Sequence, residues 1–460
     1  MPERASWTGD LAPKIADQVD FILHAFDSHK AGPEIGVVTT HDGVGFMFAE
    51  EQLLVRQDAL DSVKRILQPD FDFGRTEHVV GDVLLLHLGP KPGKAKPWPK
   101  SVKIPYPRKE RGLSILHALE QVDERLGEGI ATPNHLLTVA GEVGPCPATE
   151  PQMVYDGMEP FPGVCLSNSG AGVLVYIADT GLLPDTGTNP AQPWLHGVGG
   201  DPDPNSPPAG VAMPPLVPYA GHGTFVAGVV RCLAPQAELF VSNAFQVAGS
   251  TLEADFAKHL KNALARGVDI FHLSVTAPTR KDLYMLGFGA WLRLLRQYKG
   301  VVCVAAAGNN GLRLPSWPAA FPEVVSVGAL AADWRSRASF SNYGGWVDVY
   351  APGRDLINAY ATGVYTCQVA PYQGDERNFY GMAKWSGTSF SSPIVTGLIA
   401  ARMSRTGEDG KEAAAALLAE ARAQAIPGVG AILLPCGGCV RSPRPGRCGC
   451  ADDCASSRCR

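Results

Sequence analysis

Four short motifs carry the residue types from which nucleophilic chemistry is assembled. Asp179 opens Asp-Thr-Gly at the end of the apolar run VLVYIA; His222 stands between glycines in GHGTFVAG. Asn309 follows VVCVAAAG, and Ser389 lies in GTSFSSP, just ahead of the apolar stretch IVTGLIAA. A carboxylate, an imidazole, a carboxamide and a hydroxyl are the parts of an activated serine with a donor for a developing negative charge. Taken singly, each has a plainer reading. Asp179 reads as a turn residue, His222 and Ser389 as helix-start residues, and Asn309 as part of an Asn/Gly turn. Four such coincidences at the ends of apolar runs call for a scaffold that would bring them together.

That scaffold is legible from about residue 170. The runs VLVYIA (173–178), ELFVSN (238–243), VDIFHLSV (268–275), VVCVAAA (301–307) and VVSVGAL (324–330) are continuously apolar, as strands covered on both faces are. Helical stretches separate them. Ser250 and Glu253 read as a capping pair opening LEADFAKHLKNALAR, with Gly267 as its terminating glycine, and the stretch at 281–299 reads as the next helix, closed by Gly300. Strand and helix in alternation predict an α/β fold, a doubly wound and mostly parallel sheet. Its working site belongs beyond the carboxyl ends of the strands, where the four motifs fall.

The order Asp179, His222, Asn309, Ser389, with DTG, GHGTFVAG, AAAGN and GTSFSSP around them, resembles the subtilisin-like serine protease (subtilase) family. SFSNYG (339–344) and YAPG (350–353) extend the likeness, which covers residues 170–405. The resemblance implies an endopeptidase working through an acyl-enzyme. In it Asp179 would orient His222, His222 would take the proton of Ser389, and Asn309 would donate to the oxyanion. It also implies a substrate cleft walled by Leu273, Ser274 and Val275 on one side and by Ala306, Ala307 and Gly308 on the other. Ser316 would lie near its floor. Val275-Thr276 stands where the family more usually has Leu or Trp followed by Gly, which narrows the cleft; no acid stands in that wall, so the expected side chain before the cut is apolar or small. No cofactor is required for this chemistry. Asp185, Asp201 and Asp203 lie in an insert (184–218) holding ten prolines. Calcium needs six or more oxygen ligands, so these acids are read as solvated loop residues and a calcium site is left unsupported.

Upstream, residues 1–90 read as a smaller N-terminal α/β unit, with Ile15, Val19, Ile22 and Phe26 on one helix face. Short strand-like runs follow at 35–38, 45–49, 53–55 and 83–88. Residues 91–111 form a basic, proline-rich linker; PKPGKAKPWPKSVKIPYPRKER holds eight basic residues and one acid and is read as solvated rather than as a polyanion strip. Residues 112–165 complete the region as a propeptide-like segment, with a helix at Ile115, Leu119, Val122 and Leu126, a strand at 135–141 and a loop-like stretch from Gly144 to Gly163. Three roles are open to this region: an intramolecular inhibitor and folding aid, a substrate-recruiting domain, or a permanent second domain. The catalytic domain is drawn at 166–426 and a Cys-rich, disordered tail at 427–460.

Composition fits this division. Of 460 residues 45% are hydrophobic and 18% charged, with 51 Gly, 38 Pro and a net charge of −5. Nothing there favours nucleic acid, and no apolar run is long enough to span a membrane. Six of the eleven cysteines fall in the last 25 residues, where one CxxC (Cys436, Cys439) lacks a second at zinc spacing. The start has no positive-then-apolar leader, so the expectation is a cytoplasmic protein acting on peptides or proteins, with secretion by another route left open. Two other readings compete. One is a catalytically silent subtilisin-fold binding module with its function in the N-terminal domain. The other, an esterase of the α/β-hydrolase type, fails on motif order.

Overall fold

The computed structural model describes residues 13–28, 32–40, 43–92, 102–103, 115–139, 148–155, 157–164, 168–208, 210–369 and 371–435. Most of the basic linker and the cysteines of the tail lie outside the described residues, as do Cys146 and Cys165.

The N-terminal body runs α1 (Pro13–Ser28), β1 (Ile35–Thr40), β2 (Gly43–Arg56), α2 (Leu60–Leu67), β3 (Phe71–Val80), β4 (Val83–Pro90), β5 (Val102–Lys103), α3 (Ile115–Leu126) and β6 (Ala131–Thr138). Its strands pair antiparallel, with β2 at the centre against β1, β4 and β6. The two runs expected at 45–49 and 53–55 are one long strand, kinked where Glu51 takes φ 63°. The body does not close at residue 90 as the sequence suggested. The chain crosses the basic stretch and returns, so that β6 supplies a neighbour to β2.

The second body follows as β7 (Leu174–Asp179), β8 (Gly199–Gly200), β9 (Pro215–Leu216), α4 (His222–Leu233), β10 (Glu238–Asn243), β11 (Ser250–Leu252), α5 (Glu253–Ala263), β12 (Ile270–Leu273), α6 (Leu286–Leu295), β13 (Val302–Ala306), β14 (Val324–Leu330), β15 (Val349–Pro352), β16 (Leu356–Thr366), β17 (Glu376–Trp385), α7 (Thr388–Thr406) and α8 (Gly410–Ala423). Its main sheet is parallel, in the order β15-β14-β13-β12-β7-β10-β8. Alternation explains the continuous apolar runs. Val175, Ile177, Val302 and Val304 pack against α4, α7 and α8. Tyr176, Ala178, Phe271, Leu273, Cys303 and Ala305 face the other way, toward α5 and α6. The buried thiols of Cys232 and Cys303 are both pushed up by burial, the former to about 12, and stay protonated in the core.

Two helix starts differ from expectation. Ser250 does not cap α5: residues 250–252 form β11 and pair with Leu136–Thr138 of β6, and Ser250 Oγ donates to Val247 O. α6 begins only at Leu286, because Lys281 (φ 57°) and Asp282 (φ 55°) turn the chain out of helical geometry. That turn aims Arg280 and Lys281 at α3, where Arg280 Nη1 lies 2.7 Å from Asp123 Oδ2 and Lys281 Nζ 2.6 Å from Glu128 Oε1.

Residues 148–164 belong with the second body rather than to a free loop. Ala148 N donates to Ser386 O, Gln152 pairs with Lys384 beside β17, and Phe161 pairs with Ile357 of β16. At the other end, Tyr350 bridges Ile432, which carries this body past residue 426.

Where the two bodies meet, Glu253 is wholly buried, with Oε2 3.0 Å from His135 Nδ1 of β6 and Oε1 accepting from Gly287 N at 2.6 Å. His135 Nε2 in turn accepts from Arg280 N at 3.2 Å. Removing the carboxylate strands two buried donors, each costing about 1–3 kcal/mol. Glu253→Ala should therefore lower stability on the order of 3 kcal/mol, read from denaturant midpoints. A loss within about 0.5 kcal/mol would show the network to be dispensable.

Candidate active site

β7 ends at Asp179, and its parallel neighbours β12 and β13 end beside it, so the site forms over their carboxyl ends. His222 enters from the first turn of α4 after Gly221, whose φ of 73° is a left-handed turn that glycine takes freely. Its Nδ1 lies 2.6 Å from Asp179 Oδ1, and both side chains are fully buried. Asp179 Oδ1 also accepts from Thr180 N at 2.8 Å. A carboxylate facing Nδ1 places the ring proton there and leaves Nε2 as the basic end. Among the described residues Nε2 has no hydrogen-bond partner. Trp385 meets the imidazole edge-on, and Phe390 packs at a tilt.

Ser389 stands in the first turn of α7, whose approach to the sheet depends on Gly353. A Cβ there would fall 2.2 Å from Ser391 Oγ and 2.6 Å from Ala329 Cβ. Ser389 Oγ does not bond His222. It donates instead to Val139 O, at 3.3 Å, just beyond β6.

Asn309 follows β13. Its Oδ1 accepts from Thr388 N at 2.8 Å and from Thr388 Oγ1 at 3.0 Å, which fixes the amide and leaves its N–H₂ end for a ligand. Gly308 (φ 99°) precedes it, and a Cβ there would lie 2.5 Å from Asn342 Nδ2. Asn342, in the SFSNYG stretch, donates to Ala307 O and accepts from Asn310 N and Leu312 N. Thr388 and Asn342 thus hold the loop that carries Asn309; their signal was their place inside motifs already singled out.

Of the expected cleft residues, Leu273 and Val275 bury their side chains in the core, so the cleft receives main chain from that segment. Ser274 Oγ donates to Ser389 O at 3.3 Å. Ala306, Ala307 and Gly308 run along the end of β13, and Ser316 is brought against Thr276. β6 runs between Gly249–Leu252 and Thr276: Thr138 exchanges backbone hydrogen bonds with Thr276 at 3.0 and 3.1 Å, and Val139 N donates to Gly249 O at 2.9 Å.

The acids of the insert need correction. Asp203 is buried, not solvated: it accepts from Gly221 N at 2.8 Å, Asn205 N at 2.8 Å and Asn205 Nδ2 at 3.1 Å, with Thr180 Oγ1 at 3.4 Å. Leu182 bridges Pro202, which draws the insert back over Asp179. Asp203 therefore anchors the turn that delivers His222. Asp185 and Asp201 are half-buried and accept from Asn189 and Asn243. Among the described residues no cluster of three or more His, Cys, Asp or Glu gathers.

Burial raises the Asp203 carboxyl to about 6, outweighing its hydrogen bonds. His272, buried near Asp179 and His222, is pushed down to about 3 by burial and so stays neutral, its Nε2 3.0 Å from Ser392 Oγ.

Residues 170–431, more than half of the chain, match the model of the subtilase family, and the chain belongs to that family. It is 28% identical over 243 residues to M-protease of Shouchella clausii (strain KSM-K16), covering 50% of this chain and 54% of that protein. It is 33% identical over 220 residues to the thermophilic serine proteinase of Bacillus sp. (strain AK1), covering 45% and 48%. The chain thus spans about half the length of these relatives. The structure of fervidolysin from Fervidobacterium pennivorans shares the fold, with a TM-score of 0.52 and 17% identity over 86% of this chain and 62% of that one.

A carboxyl raised from 3.8 to about 6 binds its proton more tightly in the folded state. Folding then loses stability as pH rises from about 4 to about 6, and the loss is constant above that range. The unfolding free energy of the wild type relative to Asp203→Asn should fall across this window in denaturant titrations. A difference flat in pH would show that folding does not raise the Asp203 pKa.

Proposed function

We infer that this chain is a serine endopeptidase whose N-terminal body inhibits it. The observation that carries the reading is the buried 2.6 Å contact of His222 Nδ1 with Asp179, together with an unpartnered Nε2 and a helix-start serine held against a peptide carbonyl. With a substrate in the groove, Ser389 Oγ attacks the scissile carbonyl carbon as its proton passes to His222 Nε2. Asp179 keeps the imidazole in the receiving tautomer and offsets the charge it gains. The oxyanion is met by the Asn309 amide and by main-chain N–H at the start of α7, where the helix dipole favours negative charge. Imidazolium then protonates the leaving amine, and water resolves the acyl-enzyme by the same steps in reverse order of roles.

The substrate backbone would add as a strand between Gly249–Leu252 and Thr276, the place now taken by β6. β6 holds Ser389 Oγ on Val139 O, so the hydroxyl proton is directed away from His222. Ion pairs and the His135–Glu253 contact dock the rest of the N-terminal body on α5 and α6, which supports an inhibitory role.

Three measurements check this. A fluorophosphonate should label a chain lacking residues 1–139, label the full chain more slowly, and not label Ser389→Ala. No labelling of either form would falsify the protease reading; equal labelling of both would remove the inhibitory role. Asn309→Ala should bind peptide and lose about 10²–10³ in kcat; unchanged turnover would remove Asn309 from the oxyanion site.

A further inference from the structure

Trp385 is buried and meets the His222 ring edge-on, with centroids 5.7 Å apart and planes at 82°. Phe225 and Phe390 pack on the indole at 5.7 and 5.1 Å, so three aromatic rings form one wall beside the imidazole. The two phenyl rings are apolar on every edge. The indole is not, and its N–H needs an acceptor where water is shut out. Trp385 Nε1 donates to Thr149 O at 2.6 Å. That acceptor lies ahead of residues 170–431, the part of the chain that carries the family match.

Residues 148–152 are tied to β16, β17 and their flanks on both sides of this bond. Ala148 N donates to Ser386 O at 3.1 Å, and Gln152 and Lys384 exchange backbone hydrogen bonds at 2.8 and 2.9 Å. Glu150 Oε1 accepts from Tyr365 Oη at 3.1 Å and from Gln368 N at 2.5 Å. Arg377 Nη1 donates to Pro151 O at 2.7 Å. Farther along, Phe161 pairs with Ile357 and stacks on Trp334.

The contact with Asp179 fixes one point of the His222 ring, its Nδ1. The plane of the ring, and with it the direction of Nε2, is set by what packs against it. If Thr149 O were withdrawn, Trp385 would hold a buried N–H without a partner, and the indole would regain one by turning that edge toward water. The turn would draw the ring away from His222. Resting on the protease reading, we propose that Trp385 is a positioning residue for His222 and that residues 148–152 are a strap that holds it in that role. The working enzyme then includes a segment upstream of the family match.

The test uses the full chain, incubated until its labelling by a fluorophosphonate is constant. Turnover of fluorescein-labelled casein is expressed per labelled site. Glu150→Ala, which releases the strap, should lower kcat roughly 10–100-fold and move KM by less than about twofold. Arg377→Leu cuts a different tie and should lower kcat in the same way, which guards against one variant failing to fold. Glu150→Gln keeps the acceptor oxygen and should return kcat to within about twofold of the wild type. On a Trp385→Phe background, where no indole N–H needs the strap, Glu150→Ala should change kcat by less than about twofold. An equal loss on both backgrounds overturns the proposal and leaves the protease reading standing. So does wild-type turnover by both Glu150→Ala and Arg377→Leu. A labelled form that starts beyond Phe161 by mass spectrometry, yet turns over casein as fast as one that keeps residues 148–152, also overturns it. An unlabelled wild type removes the protease reading, and this proposal with it.

Discussion

One strand belongs to two bodies. β6 is hydrogen-bonded along one edge to β2 of its own body and along the other to β11 of the next, and its end bridges Thr276. Backbone pairing is indifferent to side-chain identity, so the place between β11 and Thr276 holds β6 by its main chain. Other contacts between the bodies accompany the seating of β6. They include the turn at Lys281–Asp282, the burial of Glu253 against His135, and Asp123 of α3 facing Arg280 and Lys281.

The parallel sheet imposes a second constraint. Its strands are covered on both faces, so polar groups can surface only at strand ends, and the chemistry gathers there. Asp179, Asn309 and the cleft walls are products of where β7, β12 and β13 stop. The low charge content and the many glycines have the same origin. Gly308 and Gly353 stand where main chain passes too close to a neighbour for any side chain.

These features are local and were legible in the sequence. The apolar runs revealed the sheet, and the glycine-flanked motifs marked its ends. What escaped local reading depended on distant partners. β3 (FDFGRTEHVV) presents mostly polar, exposed side chains and is a strand because β4 pairs with it. Ser250 and Glu253 carry the spacing of a helix cap, but β6, more than a hundred residues earlier, claims Ser250 for a ladder and His135 claims Glu253. Asp203 looked like any acid in a proline-rich loop. Its burial follows from the bridge between Leu182 and Pro202, which the spacing of prolines does not reveal. The region between residues 112 and 165 was drawn as one piece, yet its described parts divide: residues 115–139 build the first body and residues 148–164 lie along the second.

That division has a kinetic meaning. Residues 140–147 connect a strand seated at Ser389 to a segment pinned at Ser386. While the connection is whole, β6 returns to its place between β11 and Thr276 at an effective concentration on the order of millimolar, as short tethers give. Once it is severed, the same strand would rebind only at the protein's own concentration, and dilution alone would favour its release.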